Sequence, residues 1–255
     1  MRRLLAIALI LSWVAPARAQ TPGVHVSWSE CLPKGGLRNF DFTCDTNEGS
    51  ETLVLAVSPA VAASQVVAFE ARIDLHAGLP CPGPGCTSPL MPSWWQFQSG
   101  GCRESHLFMT NDFSLPPFSI GSACRSPWKP NSAYGFDYGY PSSFVGGDPS
   151  TAVLRVVAAV PASTPMTVTP GTEYYVVRFT IENALTVGLP AETCEGCCTP
   201  LSIAPVYITM VQPVGVGDFT LTGTQDDIIT WQAHSACGPT PARRASWGMV
   251  KSLYR

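Results

Sequence analysis

Strict alternation of apolar and polar residues predicts a β-strand over residues 173–183. Its apolar residues occupy alternate positions: Tyr175, Val177, Phe179 and Ile181. A period of two, carried by β-branched and aromatic side chains, is typical of a strand with one face in a core. We therefore predict that this segment is a central strand of an antiparallel β protein.

The same alternation recurs along most of the chain. It predicts further strands at 24–28, 51–57, 66–75, 105–110, 151–160, 202–211, 219–222 and 228–231, whereas 115–147 is expected to be irregular. The 24 Pro and 22 Gly residues fit a chain of short strands joined by turns. We predict an all-β fold, an antiparallel two-sheet sandwich of about nine or ten strands with disulfide-stapled loops and a short C-terminal helix.

The first 19 residues have the pattern of a signal peptide. Arg2 and Arg3 precede an apolar run over 4–14, and Ala17 and Ala19 form a small-x-small cleavage site. The run is shorter than the roughly 20 residues that span a bilayer, so we predict cleavage after Ala19 and no transmembrane segment. The chain then divides into a signal peptide (1–19), a β-sandwich (20–242) and a basic tail (243–255), exported to the periplasm, cell surface or medium.

All ten cysteines follow the predicted cleavage site. An even number of cysteines in an oxidising compartment indicates disulfides. Spacing does not determine the pairing, and we favour the local pairs Cys31–Cys44, Cys81–Cys86 and Cys102–Cys124. The remaining cysteines, which would supply two more bonds, are Cys194, Cys197, Cys198 and Cys237.

Charge excludes some partners. Three of the 15 basic residues lie in the predicted signal, so 12 remain against 18 acidic ones and the mature net charge is about −6. Nucleic-acid binding depends on neutralising phosphates, so an acidic chain argues against a nucleic-acid partner.

No catalytic motif stands out in the sequence. Gly-x-Ser-x-Gly and His-Glu-x-x-His are absent, and so is a phosphate-binding Gly loop with Lys. Cys194 and Cys197 could form a zinc site with His234 and Cys237, but export favours their oxidation. We therefore predict no enzyme activity, no cofactor and no metal.

Aromatic residues are the better functional candidates. Two groups lie in Gly- and Pro-rich segments outside the clearest strands: Trp94, Trp95 and Phe97, and separately Tyr134, Phe136, Tyr138 and Tyr140. Exposed rings could stack on a glycan or a protein partner. This hypothesis requires that both groups be exposed on one connected surface; otherwise they plug the ends of the sandwich.

The C-terminal tail has a pattern of its own. Trp247, Val250 and Tyr254 would share one face of a short helix, and Lys251 and Arg255 make the tail basic. The tail is either a closing helix packed on the sandwich or a terminal sorting or anchoring signal.

Residues 247–255 resemble the tail of an uncharacterised family of exported bacterial proteins, Trp-Gly-x-Val/Ile-Lys-x-Leu-Tyr-Arg. The segments 44–50, 94–97, 101–103, 173–175 and 194–198 are also similar to that family. This chain departs from it by inserting the 81–86 loop and lengthening 134–144. The resemblance implies export and a shared fold, but no function. A looser likeness to cohesin-like and carbohydrate-binding sandwiches concerns the fold alone.

The leading hypothesis is an exported, non-enzymatic module that binds a glycan or a cell-envelope protein. The alternative is a structural surface protein that is sorted or anchored through its tail. A secreted hydrolase is the third hypothesis.

Overall fold

The computed structural model describes residues 21–79, 89–119, 123–141, 146–189 and 192–233. Three predictions lie outside these residues: the signal peptide, the Cys81–Cys86 pair, and the tail with Trp247, Val250, Lys251, Tyr254 and Arg255. No helix in the described part of the chain has the length and apolar character needed to cross a membrane.

The described residues contain fourteen strands. They are β1 (Gly23–Trp28), β2 (Asn39–Phe40), β3 (Ser50–Ser58), β4 (Ala63–Val66), β5 (Ala68–Ala77), β6 (Leu107–Thr110), β7 (Cys124–Arg125), β8 (Ala133–Gly139), β9 (Thr151–Ala159), β10 (Met166–Val168), β11 (Glu173–Glu182), β12 (Leu201–Val211), β13 (Phe219–Thr222) and β14 (Ile229–Trp231). Only short 3₁₀ turns accompany them in this part of the chain. The all-β prediction is confirmed, whereas the predicted number of about nine or ten strands is too low.

Two large sheets form the sandwich, and β4 pairs with β10 in a separate two-stranded sheet. The first has the order β1-β3-β11-β6, with β7 also paired to β11, and the second has the order β2-β14-β12-β5-β9-β8, with β13 paired to β12. Pairing is antiparallel except for β7 with β11 and β2 with β14. The predicted central strand β11 is indeed interior, because β3 and β6 flank it.

The core lies between the inward faces of the two sheets. Leu53 and Leu55 of β3 belong to the same buried cluster as Ile73 and Leu75 of β5. These residues alternate with outward ones, as the period-two pattern requires. Burying each of these large side chains stabilises the fold by about 1.5–3 kcal/mol. The alternation therefore reflects a strong energetic preference for one face, and strands that show it clearly were predicted well.

A β-bulge interrupts the alternation of β11. The register shifts between Tyr175 and Val177, so Val176 has no partner on β3. Val177 packs in the main core, whereas Tyr175 packs in a second cluster on the outer face of the first sheet, with Phe113 and Phe118. The prediction that Tyr175 shares one face with Val177 is therefore wrong, because a bulge adds one residue to one strand.

The segment 115–147 is not irregular throughout, because β8 forms an edge of the second sheet within it. The alternation of Tyr134, Phe136 and Tyr138 was hidden by Gly135 and Asp137, since Gly and Asp are depleted in strands. β8 thus adds to the second sheet a strand that the alternation did not predict.

The disulfides join distant segments. Cys31 pairs with Cys124, Cys44 with Cys197 and Cys102 with Cys194, and Cys198 is also disulfide-bonded. The predicted local pairs Cys31–Cys44 and Cys102–Cys124 are wrong. In a sandwich, loops far apart in sequence meet at the same end, so sequence proximity is a poor guide to pairing.

Candidate functional site

The predicted tryptophan site is part of the core. Trp94 and Trp95 lie in a 3₁₀ turn and are 0% and 1% exposed, and Phe97 is also buried. Trp94 stacks on Trp231 with ring centroids 5.0 Å apart. The prediction that these three rings bind a ligand is wrong, because they are packed against other aromatic rings instead of facing solvent.

Arg103 explains part of this packing. Its guanidinium lies 3.6 Å from the ring centroid of Trp94, and its Nη1 donates a hydrogen bond to the Trp94 carbonyl at 3.1 Å. Burial lowers the pKa of Arg103 to about 9. The disulfide Cys102–Cys194 fixes the segment that carries Arg103. The segments 94–97, 101–103 and 194–198 therefore come together as structural elements.

The predicted tyrosine site is divided between core and surface. Tyr138 is buried and donates a hydrogen bond to the Trp95 carbonyl, and Phe136 contacts Phe179 edge-on at 5.7 Å. Tyr134 is 48% exposed, while Tyr140 is partly buried and donates to the Pro149 carbonyl at 3.2 Å. These rings do not form one connected exposed surface with Trp94 and Trp95.

The described residues form a cleft in another part of the molecule, which we call the edge cleft. It has a volume of about 450 Å³ and lies between segment 111–114, which follows β6, and segment 126–132, which connects β7 to β8. β6 and β8 are edge strands of the two sheets and lie next to each other. The lining residues are Asn111, Asp112, Phe113, Ser114, Ser126, Trp128, Lys129, Pro130, Asn131 and Ser132.

The bulge in β11 positions Trp128 in this cleft. Val176, the residue without a partner on β3, accepts a hydrogen bond from the Trp128 indole Nε1 at 2.9 Å. The indole also contacts Phe69 edge-on, with ring centroids 5.7 Å apart. A bulge that exposes a carbonyl thus fixes one wall of the cleft, as bulges often do beside binding sites.

Hydrogen bonds hold the rest of that wall. Lys129 Nζ donates to the Pro165 carbonyl at 2.8 Å, and the Ser132 N–H donates to the Lys129 carbonyl at 3.2 Å. Asn131, between them, has a positive φ of 69°, which asparagine tolerates in turns. The wall is therefore a defined turn.

The opposite wall is anchored through Asp112. The Ser114 N–H donates to Asp112 Oδ1 at 2.9 Å, and Arg178 Nε on β11 donates to the Asp112 carbonyl at 3.1 Å. Hydrogen bonds from Ser114 lower the pKa of Asp112 below its ordinary value. An ionised, fixed carboxylate therefore faces the cleft region at neutral pH.

Asn111 is the unusual residue of the cleft. Its side chain is 5% exposed, yet its Nδ2 has no hydrogen-bond partner within the structure. An unpaired buried donor costs about 1–3 kcal/mol, and most buried polar groups do find a partner. The Asn111 Nδ2 atom therefore has neither a protein acceptor nor access to solvent.

No sequence pattern indicated this cleft. Asn111 and Trp128 are separated along the chain, and the strand β7, which precedes the second segment and pairs with β11, is only two residues long. The nearest local signal is Asp112 two residues before Ser114, which is typical of an Asx turn. Such a turn does not indicate what it faces.

A buried acid, Glu173, lies elsewhere. It is 0% exposed, and neither carboxylate oxygen has a hydrogen-bond partner. Burial raises the pKa of Glu173 to about 8, against the smaller opposing effect of Arg38. Glu173 does not line the edge cleft, so it is not part of the candidate site.

The zinc hypothesis does not fit the cysteines. Cys194 and Cys197 each form a disulfide with a different partner, so neither is a free thiolate. Among the residues that the structure describes, no group of three or more His, Cys, Asp or Glu is placed to hold a metal ion. His234 and Cys237 lie outside them.

Comparison with known proteins yields no match: neither a family model, nor a curated protein, nor a solved structure is similar to this chain. The resemblance to exported bacterial proteins with the Trp-Gly-x-Val/Ile-Lys-x-Leu-Tyr-Arg tail therefore stays a prediction.

Proposed function

We propose that this protein is an exported, non-enzymatic binding module that holds its ligand in the edge cleft. The observation that carries the proposal is the edge cleft itself, whose two walls are held by hydrogen bonds of Trp128, Lys129 and Asp112. Ligand sites are usually pre-formed clefts with a few placed polar groups, and the lining of the edge cleft has this character.

The rigidity of both walls supports binding. Trp128, Lys129 and Asp112 are each tied to the body of the protein by a hydrogen bond of 2.8–3.1 Å. A site that is already ordered loses less entropy when its ligand binds, so affinity increases. Pre-formed clefts of about 300–1,000 Å³ are typical of small-molecule sites, and the volume of the edge cleft is within this range.

Two further observations support the proposed export and the proposed lack of enzyme activity. The disulfides favour an oxidising compartment, in agreement with the signal-peptide pattern. Hydrolysis of a glycosidic bond normally takes two carboxylates, and the described lining of the cleft includes one, Asp112. Sorting through the C-terminal tail stays a prediction.

The proposal is tested with the oxidised mature protein and a panel of polysaccharides, cell-wall preparations and envelope proteins. The variants Asp112→Ala and Ser132→Ala remove polar groups of the cleft, and Asp137→Ala on β8 is the matched control at an exposed acid outside it. We expect the cleft variants to weaken binding of any captured ligand at least about tenfold, the effect of losing one hydrogen bond to a charged group, while the control binds normally. Equal binding by all variants would place the site elsewhere.

A further inference from the structure

We propose that the protein forms a two-fold symmetric dimer in which the free edge of β8 pairs with the same edge of a second copy. The inference goes beyond ligand binding in the edge cleft. Among the described strands, β8 pairs only with β9 and forms one end of the second sheet. The five consecutive residues 133–137 are exposed, so this edge of the sheet is open to a partner.

Two hydrogen bonds fix the direction of the backbone groups on β9. Beyond the end of β9, the Val160 N–H donates to the Val67 carbonyl at 2.9 Å, and before its start the Ser150 carbonyl accepts from the Ala77 N–H at 2.9 Å. Val67 directly precedes β5 and Ala77 ends it, so both bonds join β9 to β5. Because the backbone groups of successive strand residues point to alternate sides, the even-numbered residues of β9 bond to β5 and the odd-numbered ones to β8.

This alternation leaves Tyr134 and Phe136 with free backbone groups. Gly135 lies opposite Val157, an odd-numbered residue of β9, so the odd-numbered residues of β8 bond to β9. The N–H and carbonyl groups of Tyr134 and Phe136 therefore point away from the sheet, and no other backbone group among the described residues bonds to them. An extended chain is the partner that presents donors and acceptors at the matching spacing.

The edge also lacks the features that usually prevent such pairing. Natural edge strands carry proline, lysine or a bulge, or are very short. β8 contains neither proline nor lysine, and it pairs with β9 over seven residues without a shift of register. By comparison, the edge strands β6 and β13 have four residues each. β8 is therefore the edge best suited to accept another strand.

A second copy of β8 fits this edge in one register. Rotation about a two-fold axis through Gly135 places Tyr134 of each copy opposite Phe136 of the other. Both residues of such a pair direct their N–H and carbonyl groups toward each other, so each pair exchanges two hydrogen bonds. The axis lies at the centre of the exposed segment 133–137, so the pairing requires no residue that is buried in the single copy.

Side chains and charges agree with this register. Tyr134 and Phe136 are 48% and 36% exposed, and the pairing brings their rings together on the same face of the joined sheets. Asp137, the acidic residue of β8, falls opposite Ala133 of the second copy, so like charges do not face each other directly. β8 is thus complementary to itself in backbone, rings and charge.

Sedimentation velocity of the oxidised mature protein, from micromolar to millimolar concentration, measures the association, and we expect a monomer–dimer equilibrium. Hydrogen exchange followed by NMR at both ends of this range gives the register. The N–H groups of Tyr134 and Phe136 should exchange slowly only in the dimer. Those of Gly135 and Asp137 bond to β9 and should be protected in both states.

Two variants and a control connect the dimer to this edge. Tyr134→Lys places a charge on the edge, and Tyr134→Pro removes an outward N–H without removing a bond to β9. We expect each variant to raise the dissociation constant of the dimer at least about tenfold. Phe219→Lys, at a 38% exposed aromatic residue of the edge strand β13, is the matched control and should dimerise like the parent.

Circular dichroism checks that the variants are folded, and Tyr134→Lys keeps the test decisive if the proline variant is not. A parent protein that stays monomeric at millimolar concentration would overturn the inference. So would a dimer that Phe219→Lys dissociates and Tyr134→Lys does not. If the Tyr134 and Phe136 amides become protected only when a cell-envelope protein fraction is added, the edge binds another polypeptide and the second copy is the wrong partner.

Discussion

Glu173 shows how one buried residue makes the stability of this protein depend on pH. Its carboxyl group is fully buried without a hydrogen bond, and burial raises its pKa from 4.5 to about 8. Between these values the folded state holds a proton that the unfolded state has released. The free energy of unfolding therefore falls as pH rises through this window, by about 1.4 kcal/mol per pH unit from this group.

We expect Glu173→Gln to remove that slope. The neutral amide has the shape of the protonated acid and releases no proton, so the variant should gain stability relative to the parent as pH rises from 5 to 8. Urea unfolding across this range measures the difference, and Glu70→Gln at an exposed position of β5 is the control. Parallel stability curves for parent and Glu173→Gln would show that the carboxyl is ionised in the folded protein.

The burial of Trp94 and Trp95 could not be predicted from the residues next to them. A Trp pair between Pro and Gly has the same sequence pattern whether it faces solvent or closes a core. The contact that decides its position is made by the guanidinium of Arg103, which lies over Trp94 and is nine positions away in sequence. Charged residues are rarely buried without a partner. A sequence pattern therefore favoured an exposed Arg103 and gave no reason to bury the ring beneath it.

At the scale of elements, β8 is a strand weakened by glycine. Gly135 lies on the outward side of this edge strand, opposite Val157, and a Cβ at this position would meet nothing within 4 Å. Glycine in a strand loses more backbone entropy on folding than other residues and packs no side chain.

Gly135→Thr should therefore stabilise the protein by up to about 1 kcal/mol, because threonine has a higher β propensity. Gly196→Ala is the contrasting control: its φ is +90° and its Cβ would lie 2.3 Å from that of Pro92, so we expect it to destabilise the fold. Urea midpoints of both variants check the pair. A destabilising Gly135→Thr would mean that something covers this face.

How well a strand could be predicted from the sequence depends on how strictly its apolar and polar residues alternate. β5, β9 and β11 carry long alternating runs and were located within a few residues. The edge cleft was not predictable, since it forms only where the chain leaves β6 and where the bulge in β11 turns a carbonyl toward Trp128. Neither feature has a local sequence pattern. Whether the Asn111 side chain finds a hydrogen-bond partner depends on how the whole fold places its neighbours.

At the scale of the whole molecule, the disulfides divide into two roles. Cys102–Cys194 and Cys44–Cys197 hold the loops beside the buried tryptophans, whereas Cys31–Cys124 ends at β7, directly before the cleft segment 126–132. The cysteines of the three bonds lie 92, 153 and 93 positions apart in sequence, and for loops of this length chain entropy gives a stabilisation of about 4–5 kcal/mol.

We expect both double variants, Cys102→Ser/Cys194→Ser and Cys31→Ser/Cys124→Ser, to lower the free energy of unfolding by about 2–5 kcal/mol. Only the second should also weaken ligand binding while the protein is still folded, because it releases the strand that anchors one wall of the cleft. Unfolding curves and titrations on the same samples separate the two effects. Equal loss of binding in both variants would contradict this division of roles.

The connectivity of these bonds has a consequence for the biogenesis of the protein. In the proposed export from the N-terminus, Cys31 and Cys44 would reach the oxidising compartment before Cys124 and Cys197, and the first cysteine that either would meet is the other. The pair that forms most readily, Cys31 with Cys44, is therefore not native, and neither is Cys102 with Cys124. Where such an early bond forms, the native connectivity is reached only by thiol–disulfide exchange, the reaction that a thiol–disulfide isomerase catalyses.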